Sequence, residues 1–289
     1  MRDDPWKGLV LVEELLSRRT VRPRSVGWTM VIDVGLGMRE TQDVLEMAGD
    51  YIDLWKLSFG TSVLIPSDIL VRKIALIEER GIHTMPGGTL FEAAVMQQHC
   101  RVYLQRARQL GFSAVEIADG TLPLPAYRRE RIIRGAREAG LIPITEVGKK
   151  DPKLQPPSTD LAELALCDLA WGAEAVIVEG RESGKGVGIY DPEGNVLEDG
   201  VSSIARIVGD CCDKLIWEAP LKPQQAALIA RFGVNVGLGN IDPRQVLALE
   251  ALRVGLRFET LRPVAEALRA AGKWQPELVE APETAHAGR

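Results

Sequence analysis

Residues 114–147 read AVEIADGTLPLPAYRRERIIRGAREAGLIPITEV, and this segment gives the clearest indication of the fold. It begins with a short apolar run at 114–118 and ends with another at 142–147. Between them, residues 127–139 carry apolar side chains at helical spacing, which predicts a helix. Gly140 follows this run, and since glycine commonly follows the last turn of a helix, we expect the helix to end there. A strand, a helix and a second strand in this order are typical of parallel strands joined by a covering helix.

The same unit recurs along the chain. Helical runs at 67–80, 91–110 and 223–232 also end in a glycine, namely Gly81, Gly111 and Gly233. The predicted strands are 28–33, 51–57, 82–85, 114–118, 142–147, 175–179, 214–218 and 235–238. Eight repeats without a hairpin signal predict a single closed (β/α)8 barrel, the TIM-barrel fold, although two weaker strands leave an open doubly wound sheet as the alternative.

The chain outside this repeat is short. Residues 1–27 predict an N-terminal helix at Leu9–Ser17 followed by a linker, and residues 28–273 predict the barrel. The segment 274–289 is polar, contains proline and lacks periodicity, which predicts a loose C-terminal tail.

Composition excludes several classes of protein. The net charge is −5 and no basic run is interleaved with aromatic residues, so nucleic acid is not an expected partner. The apolar stretches are short and broken by charge, which predicts a cytoplasmic protein without a membrane span or signal peptide. Four cysteines without a CxxC pair and three dispersed histidines do not indicate a zinc site. Self-association through the amphipathic outer helices stays open.

Charged residues gather where the predicted strands end, which is where barrel enzymes place their active sites. A strand covered by helices should be nearly all apolar, so buried carboxylates there are costly unless they are paired or bind a cation. Any one of them can instead cap a helix or form an ion pair. Taken together, oxygen ligands without histidine or cysteine suit Mg²⁺, and the candidates are Glu116, Glu146, Glu179 and Glu218.

Glycine-rich turns follow the same strand ends: MPGGT at 85–89, GRESGKGVG at 180–188 and GLGN at 237–240. Glycines let backbone N–H groups approach a phosphate, and Arg181, Lys185 or Lys56 would add positive charge. None of the turns matches a P-loop or dinucleotide fingerprint. Each one alone is equally consistent with a tight turn that needs positive φ.

With these residues in view, the chain resembles the phosphosulfolactate synthases, barrel enzymes that add sulfite to phosphoenolpyruvate early in coenzyme M biosynthesis. The resemblance runs from about Trp28 to Thr260. It is carried by TMVID (29–33), DYIDLWKLSFGTS (50–62), PGGTLFE (86–92), LGFSAVEIADGT (110–121), TEVGKKDP (145–152), VEGRESGKGVGIYD (178–191), EAPLKPQQ (218–225) and LGNI (238–241).

The resemblance implies a Mg²⁺-dependent lyase that acts on a small anionic substrate. Sulfite would attack the methylene carbon of phosphoenolpyruvate, charge would develop on the carboxylate side, and an acid would protonate the adjacent carbon. We predict Lys149 as that acid, with a salt bridge to Glu146 or Asp151 as its alternative role. The full prediction is catalytic Lys149, Glu146 and Lys56; substrate-binding Asp33, Gly87, Gly88, Lys150, Arg181, Lys185 and Asn240; and metal-binding Glu116, Glu179 and Glu218.

Two cations of the family pattern are replaced in this chain, and a glycine of the pattern has become phenylalanine. The family has a lysine after the first strand aspartate, where this chain has Val34, and an RRGLRGDT motif where this chain has Val254 and Phe258. Losing a cation from an anion site costs on the order of 2–5 kcal/mol. The departures therefore predict weak or altered use of sulfite. They leave open a related enolate-forming enzyme with another nucleophile, and a non-catalytic stress-related protein on the same scaffold, as in plant heat-stress proteins that resemble the family.

Overall fold

A computed structural model describes residues 17–275 of the chain. The predicted N-terminal helix, except for its last residue, and nearly all of the predicted tail lie outside the described residues. No helix within 17–275 is long and apolar enough to cross a membrane.

Eight parallel strands form one barrel, as predicted. They are β1 (Thr29–Asp33), β2 (Leu54–Leu57), β3 (His83–Pro86), β4 (Ala114–Ile117), β5 (Ile142–Val147), β6 (Ala175–Val178), β7 (Leu215–Glu218) and β8 (Gly237–Ile241). The order of hydrogen-bonded neighbours is β3-β2-β1-β8-β7-β6-β5-β4. Strands β3 and β4 lie beside each other and bring the two edges together. The open-sheet alternative is therefore wrong.

Ten helices surround the strands. They are α1 (Met38–Ala48), α2 (Ser67–Glu78), α3 (Gly88–Met96), α4 (Cys100–Leu110), α5 (Ala126–Glu138), α6 (Ser158–Trp171), α7 (Glu198–Val208), α8 (Lys222–Phe232), α9 (Val246–Arg253) and α10 (Phe258–Ala270), counted within the described part of the chain. The run 91–110, predicted as one helix, forms two, because Gln98 between them has φ +60° and cannot continue a helix. All four predicted glycine caps have positive φ: Gly81, Gly111, Gly140 and Gly233.

The barrel interior changes from apolar to charged along each strand. Alternate residues of a strand face the same side, and the lower interior is filled by a buried cluster that includes Leu54, Ala114, Ile144, Ile177 and Ile216. Two positions further along, the same face carries a charged side chain: Lys56, Glu116, Glu146, Glu179 and Glu218. These five residues, here called the charged ring, form the uppermost interior layer at the C-terminal end of the barrel.

The N-terminal end of the barrel is closed by ion pairs. Arg24 donates to both oxygens of Asp53 at 3.0 and 3.1 Å. Arg19 Nε lies 3.0 Å from Glu250 Oε2, and Arg253 donates to the carbonyl oxygens of Val234 and Val236. Asp53 immediately precedes β2 and belongs to this structural network.

Candidate active site

A small cavity opens above the charged ring. It is lined by Ile32, Lys56, Ser58, Phe59, Gly87, Gly88, Thr89, Glu116, Glu146, Lys150, Glu179, Arg181, Glu182, Glu218 and Asn240. Residues from all eight strands or the loops that follow them contribute to this set. The cavity thus occupies the position at which barrel enzymes bind their substrates.

Lys56 lies at the centre of the charged ring. Its Nζ is 3.0 Å from Glu116 Oε1, 3.3 Å from Glu218 Oε1 and 3.8 Å from Glu146 Oε2. Burial lowers the pKa of Lys56, but the carboxylates of Glu116, Glu218 and Glu146 raise it by more, so the pKa lies well above its usual value. Lys56 therefore stays charged and serves as the internal counterion of the ring.

Glu116 and Glu218 are fully engaged by the protein. Glu116 Oε2 accepts from the Gly88 amide at 2.8 Å, and Glu218 Oε2 accepts from the Gly180 amide at 3.0 Å. For Glu116, burial raises the pKa while Lys56 and hydrogen bonds lower it by more, so this carboxylate is ionised. Both glutamates hold loop backbone and Lys56 in place.

Glu146 and Glu179 are buried but incompletely satisfied. Glu146 Oε1 and Glu179 Oε2 make no hydrogen bond to any residue in 17–275. Burial, then the neighbouring charges of Glu179 and Glu116, raise the pKa of Glu146 well above its usual value. Burial, followed by the charge of Glu218, raises the pKa of Glu179 to about 8. In these two carboxyl groups, one oxygen each is left without a hydrogen-bond partner among the described residues.

The arrangement shows which carboxylate oxygens of the ring are still available to a metal ion. No group of three or more histidine, cysteine, aspartate or glutamate side chains in the described chain is arranged to hold a metal ion. Of the predicted trio, Glu116 and Glu218 are paired with Lys56, and whether Glu116, Glu179 and Glu218 bind a metal stays a prediction. Magnesium usually binds one or two carboxylates together with water and substrate oxygens. The unpartnered oxygens of Glu146 and Glu179 fit that requirement, and the unpartnered Asn240 Oδ1 adds a third oxygen donor to the cavity.

Ten of the predicted site residues line the cavity: Lys56, Gly87, Gly88, Glu116, Glu146, Lys150, Glu179, Arg181, Glu218 and Asn240. Arg181 and Asn240 adopt positive φ, +61° and +55°, which is uncommon for residues other than glycine. Arg181 Nε, like Asn240 Oδ1, is buried and makes no hydrogen bond within residues 17–275. Polar groups held in this way are the ones that a bound ligand would satisfy.

Asp33 is placed differently from its prediction. Its Oδ2 accepts from Trp55 Nε1 at 2.9 Å and lies 2.5 Å from Lys73 Nζ. Its Oδ1 accepts from the amides of Gly35 and Leu36, both at 2.8 Å. Because these partners fill the carboxylate, Asp33 holds the β1 loop and does not line the cavity.

The two lysines after β5 point to different places. Lys149 Nζ lies 2.5 Å from Asp119 Oδ2 and 2.7 Å from the Asp119 carbonyl, outside the cavity lining. Lys150 lines the cavity, and its Nζ is 3.5 Å from Thr89 Oγ1. The predicted alternative partners of Lys149, Glu146 and Asp151, are replaced by Asp119. Whether Lys149 donates a proton stays a prediction.

Lys185 is exposed on the loop after β6 and also lies outside the cavity lining. That loop is folded back by Gln224, whose Nε2 donates to the carbonyl oxygens of Gly184 and Gly194 at 2.6 and 3.0 Å. Lys185 therefore projects from a fixed loop at the rim.

The two departures from the family pattern lie at opposite ends of the barrel. Val34 is 60% exposed and follows β1 at the C-terminal end. Val254 is buried next to Arg253, which binds the segment preceding β8 at the N-terminal end. The expectation that Val254 weakens the anion site is wrong, because this position is on the structural side of the barrel.

Comparison with known proteins identifies the family. The sequence model of (2R)-phospho-3-sulfolactate synthase matches residues 17–259 of the chain. The chain belongs to the phosphosulfolactate synthase family. It is 40% identical over 250 residues to the phosphosulfolactate synthase of Methanothermobacter thermautotrophicus, covering 85% of this chain and 95% of that protein.

Two further family members show similar agreement. The phosphosulfolactate synthase of Methanocaldococcus jannaschii is 43% identical over 240 residues, which cover 82% of this chain and 95% of that protein. The phosphosulfolactate synthase of Bacillus subtilis is 37% identical over 248 residues, which cover 84% and 95%. The YdjI aldolase structure from Escherichia coli K12 has a TM-score of 0.50 at 12% identity, covering 91% of this chain and 96% of that one, and shows the barrel fold alone.

Proposed function

We propose that the chain is a carbon–sulfur bond-forming lyase that adds sulfite to phosphoenolpyruvate with Mg²⁺ and yields 2-phospho-3-sulfolactate. The observation that carries the proposal is the cavity above the charged ring. It combines two buried carboxylate oxygens without partners, Glu146 Oε1 and Glu179 Oε2, with the cations Lys150 and Arg181. Membership in the phosphosulfolactate synthase family supports the activity.

The reaction needs charge stabilisation at the carboxylate end of the substrate. The sulfur lone pair of sulfite forms a bond to the methylene carbon, and the electrons of the carbon–carbon double bond move toward the carboxylate as an enediolate. Mg²⁺ held by Glu146 and Glu179 would supply positive charge for the substrate oxygens. Arg181, whose buried Nε has no protein acceptor in the described chain, is suited to donate to the same oxygens.

A proton must then reach the carbon that bears the phosphate ester. Lys150 is the lysine outside the charged ring that lines the cavity, whereas Lys149 is bound to Asp119. Burial lowers the pKa of Lys150, but Glu146, Glu179 and Glu116 raise it by more, so Lys150 is held in the protonated form that an acid requires. We therefore place Lys150 before Lys149 as the proton donor.

Turnover tests the proposal directly. Purified protein would be mixed with phosphoenolpyruvate, sulfite and Mg²⁺, and the phosphorus signal of the product followed by NMR. We expect 2-phospho-3-sulfolactate to form and its formation to stop when EDTA removes the metal. Consumption of phosphoenolpyruvate with another nucleophile, and none with sulfite, would contradict the proposed substrate. Binding without turnover would favour a non-catalytic role.

A further inference from the structure

A buried serine without a partner marks one corner of the cavity. Ser58 follows β2, is 1% exposed and lines the cavity. Its Oγ makes no hydrogen bond to any described residue. A buried hydroxyl that could donate but has no acceptor loses the hydrogen bonds it would make in water. No sequence pattern singles out Ser58, because serine is common in loops.

The first turn of helix α3 forms the other wall of this corner. The Gly88 amide donates to Glu116, and the Leu90 amide donates to the Gly87 carbonyl at 3.1 Å. The Thr89 amide, between them, has no acceptor within the helix, as is general for a first turn. A Cβ on Gly87 would lie 3.1 Å from Ser58 Cα, so the serine and the helix start are in direct contact. The nine-residue helix also directs its positive dipole end into the corner.

A cation reaches the same corner from the loop after β5, two strands away from β3. Lys150 Nζ lies 3.5 Å from Thr89 Oγ1. The Lys150 backbone is fixed, since its amide donates to the Gly120 carbonyl at 2.9 Å. The corner therefore brings together the Ser58 hydroxyl, the first-turn amide and the hydroxyl of Thr89, and the Lys150 ammonium group.

We propose that Ser58, the first turn of α3 at Gly88 and Thr89, and Lys150 form the subsite for the phosphoryl group of the substrate. This inference rests on the proposed function for the identity of the phosphate ester. Donors that converge from several directions match the three terminal oxygens of a phosphoryl group, and a helix N-terminus favours its negative charge. The carboxylate end of the substrate then lies toward Glu146, Glu179 and Arg181. Sulfite is another oxyanion, and the test separates the two.

The test compares Ser58→Ala with Ser62→Ala. Ser62 is a buried serine on the same loop, but it lines a separate apolar groove next to α2, α3 and α4. Inorganic phosphate binding is measured by calorimetry, and KM for phosphoenolpyruvate and for sulfite is measured by initial rates. Ser58→Ala should weaken phosphate binding and raise KM for phosphoenolpyruvate by ~10-fold, the usual effect of a hydrogen bond to a charged group. KM for sulfite should stay unchanged, and Ser62→Ala should behave as wild type.

The subsite and the function can fail separately. Loss of phosphate affinity in Ser58→Ala without any sulfite-dependent turnover in wild type would retain the subsite and overturn the function. Normal turnover with an unaltered KM for phosphoenolpyruvate in Ser58→Ala would retain the function and overturn the subsite. A rise in KM for sulfite alone would assign the corner to sulfite and overturn the proposal. Absence of phosphate binding to wild type together with a silent Ser58→Ala variant would also overturn it.

Discussion

The two ends of the barrel differ in how completely their buried carboxylates are paired. At the N-terminal end, Arg24 binds Asp53 with two hydrogen bonds, and Arg19 binds Glu250. At the C-terminal end, Lys56 neutralises part of the charged ring, while Glu146 and Glu179 each keep an unpartnered oxygen. The carboxylates Asp53 and Glu250 at the N-terminal end are paired with arginines, whereas two carboxylates at the C-terminal end keep an oxygen without a partner among the described residues.

The difference matters because unsatisfied buried polar groups are costly. Unpartnered cavity atoms come from four loops or strand ends: Ser58 Oγ, Glu146 Oε1, Glu179 Oε2, Arg181 Nε and Asn240 Oδ1. Arg253 also has nitrogens without a hydrogen bond, although its Nε lies 3.3 Å from Glu250 Oε1. Grouping of both oxygen acceptors and nitrogen donors around one cavity is expected of a site that binds a metal and an anion.

The largest expected effect separates the two lysines after β5. If Lys150 donates the proton, Lys150→Ala should lower kcat by roughly 10²–10⁴-fold, the usual contribution of a positioned acid. Lys150→Arg should not restore the rate, because guanidinium does not release its proton near neutral pH. The measurement is kcat for phosphosulfolactate formation, with Mg²⁺ and phosphoenolpyruvate at saturation.

Lys149→Ala is the matched variant. Its side chain is bound to Asp119, so we expect a smaller loss of kcat than in Lys150→Ala. A loss of 10²–10⁴-fold confined to Lys149→Ala and not restored by Lys149→Arg would support the original prediction for Lys149 and contradict the assignment to Lys150.

Removing the Arg24 charge at the N-terminal end of the barrel should lower stability and leave catalysis unchanged. Arg24→Ala would leave Asp53 buried without its main counterion, which typically costs about 3–5 kcal/mol. We expect chemical denaturation to show this loss in the free energy of unfolding, while kcat of the folded fraction stays at the wild-type value. A stable variant with a reduced kcat would remove the functional distinction between the two ends.

A methyl group added at Gly88, in the proposed phosphoryl subsite, should have an intermediate effect on KM for phosphoenolpyruvate. A Cβ at Gly88 would lie 2.8 Å from Ala118 Cβ and 3.1 Å from Glu116 Cδ. Overpacking of this kind costs about 1–3 kcal/mol, and we expect Gly88→Ala to raise KM for phosphoenolpyruvate as Glu116 shifts. Gly37→Ala, where the nearest atom is 3.7 Å away at an exposed helix start, serves as the control. Equal KM values in the two variants would contradict the tight packing inferred at Gly88.

The smallest effect concerns Val34, where the family pattern has a cation. Because Val34 is 60% exposed at the C-terminal end, a lysine there would interact through a solvent-screened charge of at most about 1 kcal/mol. Val34→Lys should therefore lower KM for sulfite or phosphoenolpyruvate by a few-fold, up to ~5-fold. Unchanged kinetic constants would show that the departure from the family pattern has no effect on substrate use.

The sequence contained most of the fold and part of the site. Strand periodicity and glycine caps predicted the barrel. The charged ring could also be predicted locally, because each charged residue lies two positions after an inward-facing apolar residue, as Glu146 does after Ile144. Asp33 pairs with Lys73, and Lys149 pairs with Asp119. In both pairs the two residues are distant in sequence. Such pairings can be recognised only once the three-dimensional arrangement of the loops is known. The same holds for the Ser58 hydroxyl, which makes no hydrogen bond to any described residue.

Thermal unfolding can show whether the carboxylate oxygens of Glu146 and Glu179 bind Mg²⁺ together with phosphoenolpyruvate. Thermal unfolding of wild type should shift upward by roughly 4–8 °C at ligand concentrations ~100 times Kd. The double variant Glu146→Gln and Glu179→Gln should fold but lose this shift. Glu174→Gln, at the other end of the barrel in an ion pair with Lys214, should retain it. A full shift in the double variant would show that Glu146 and Glu179 do not hold the metal.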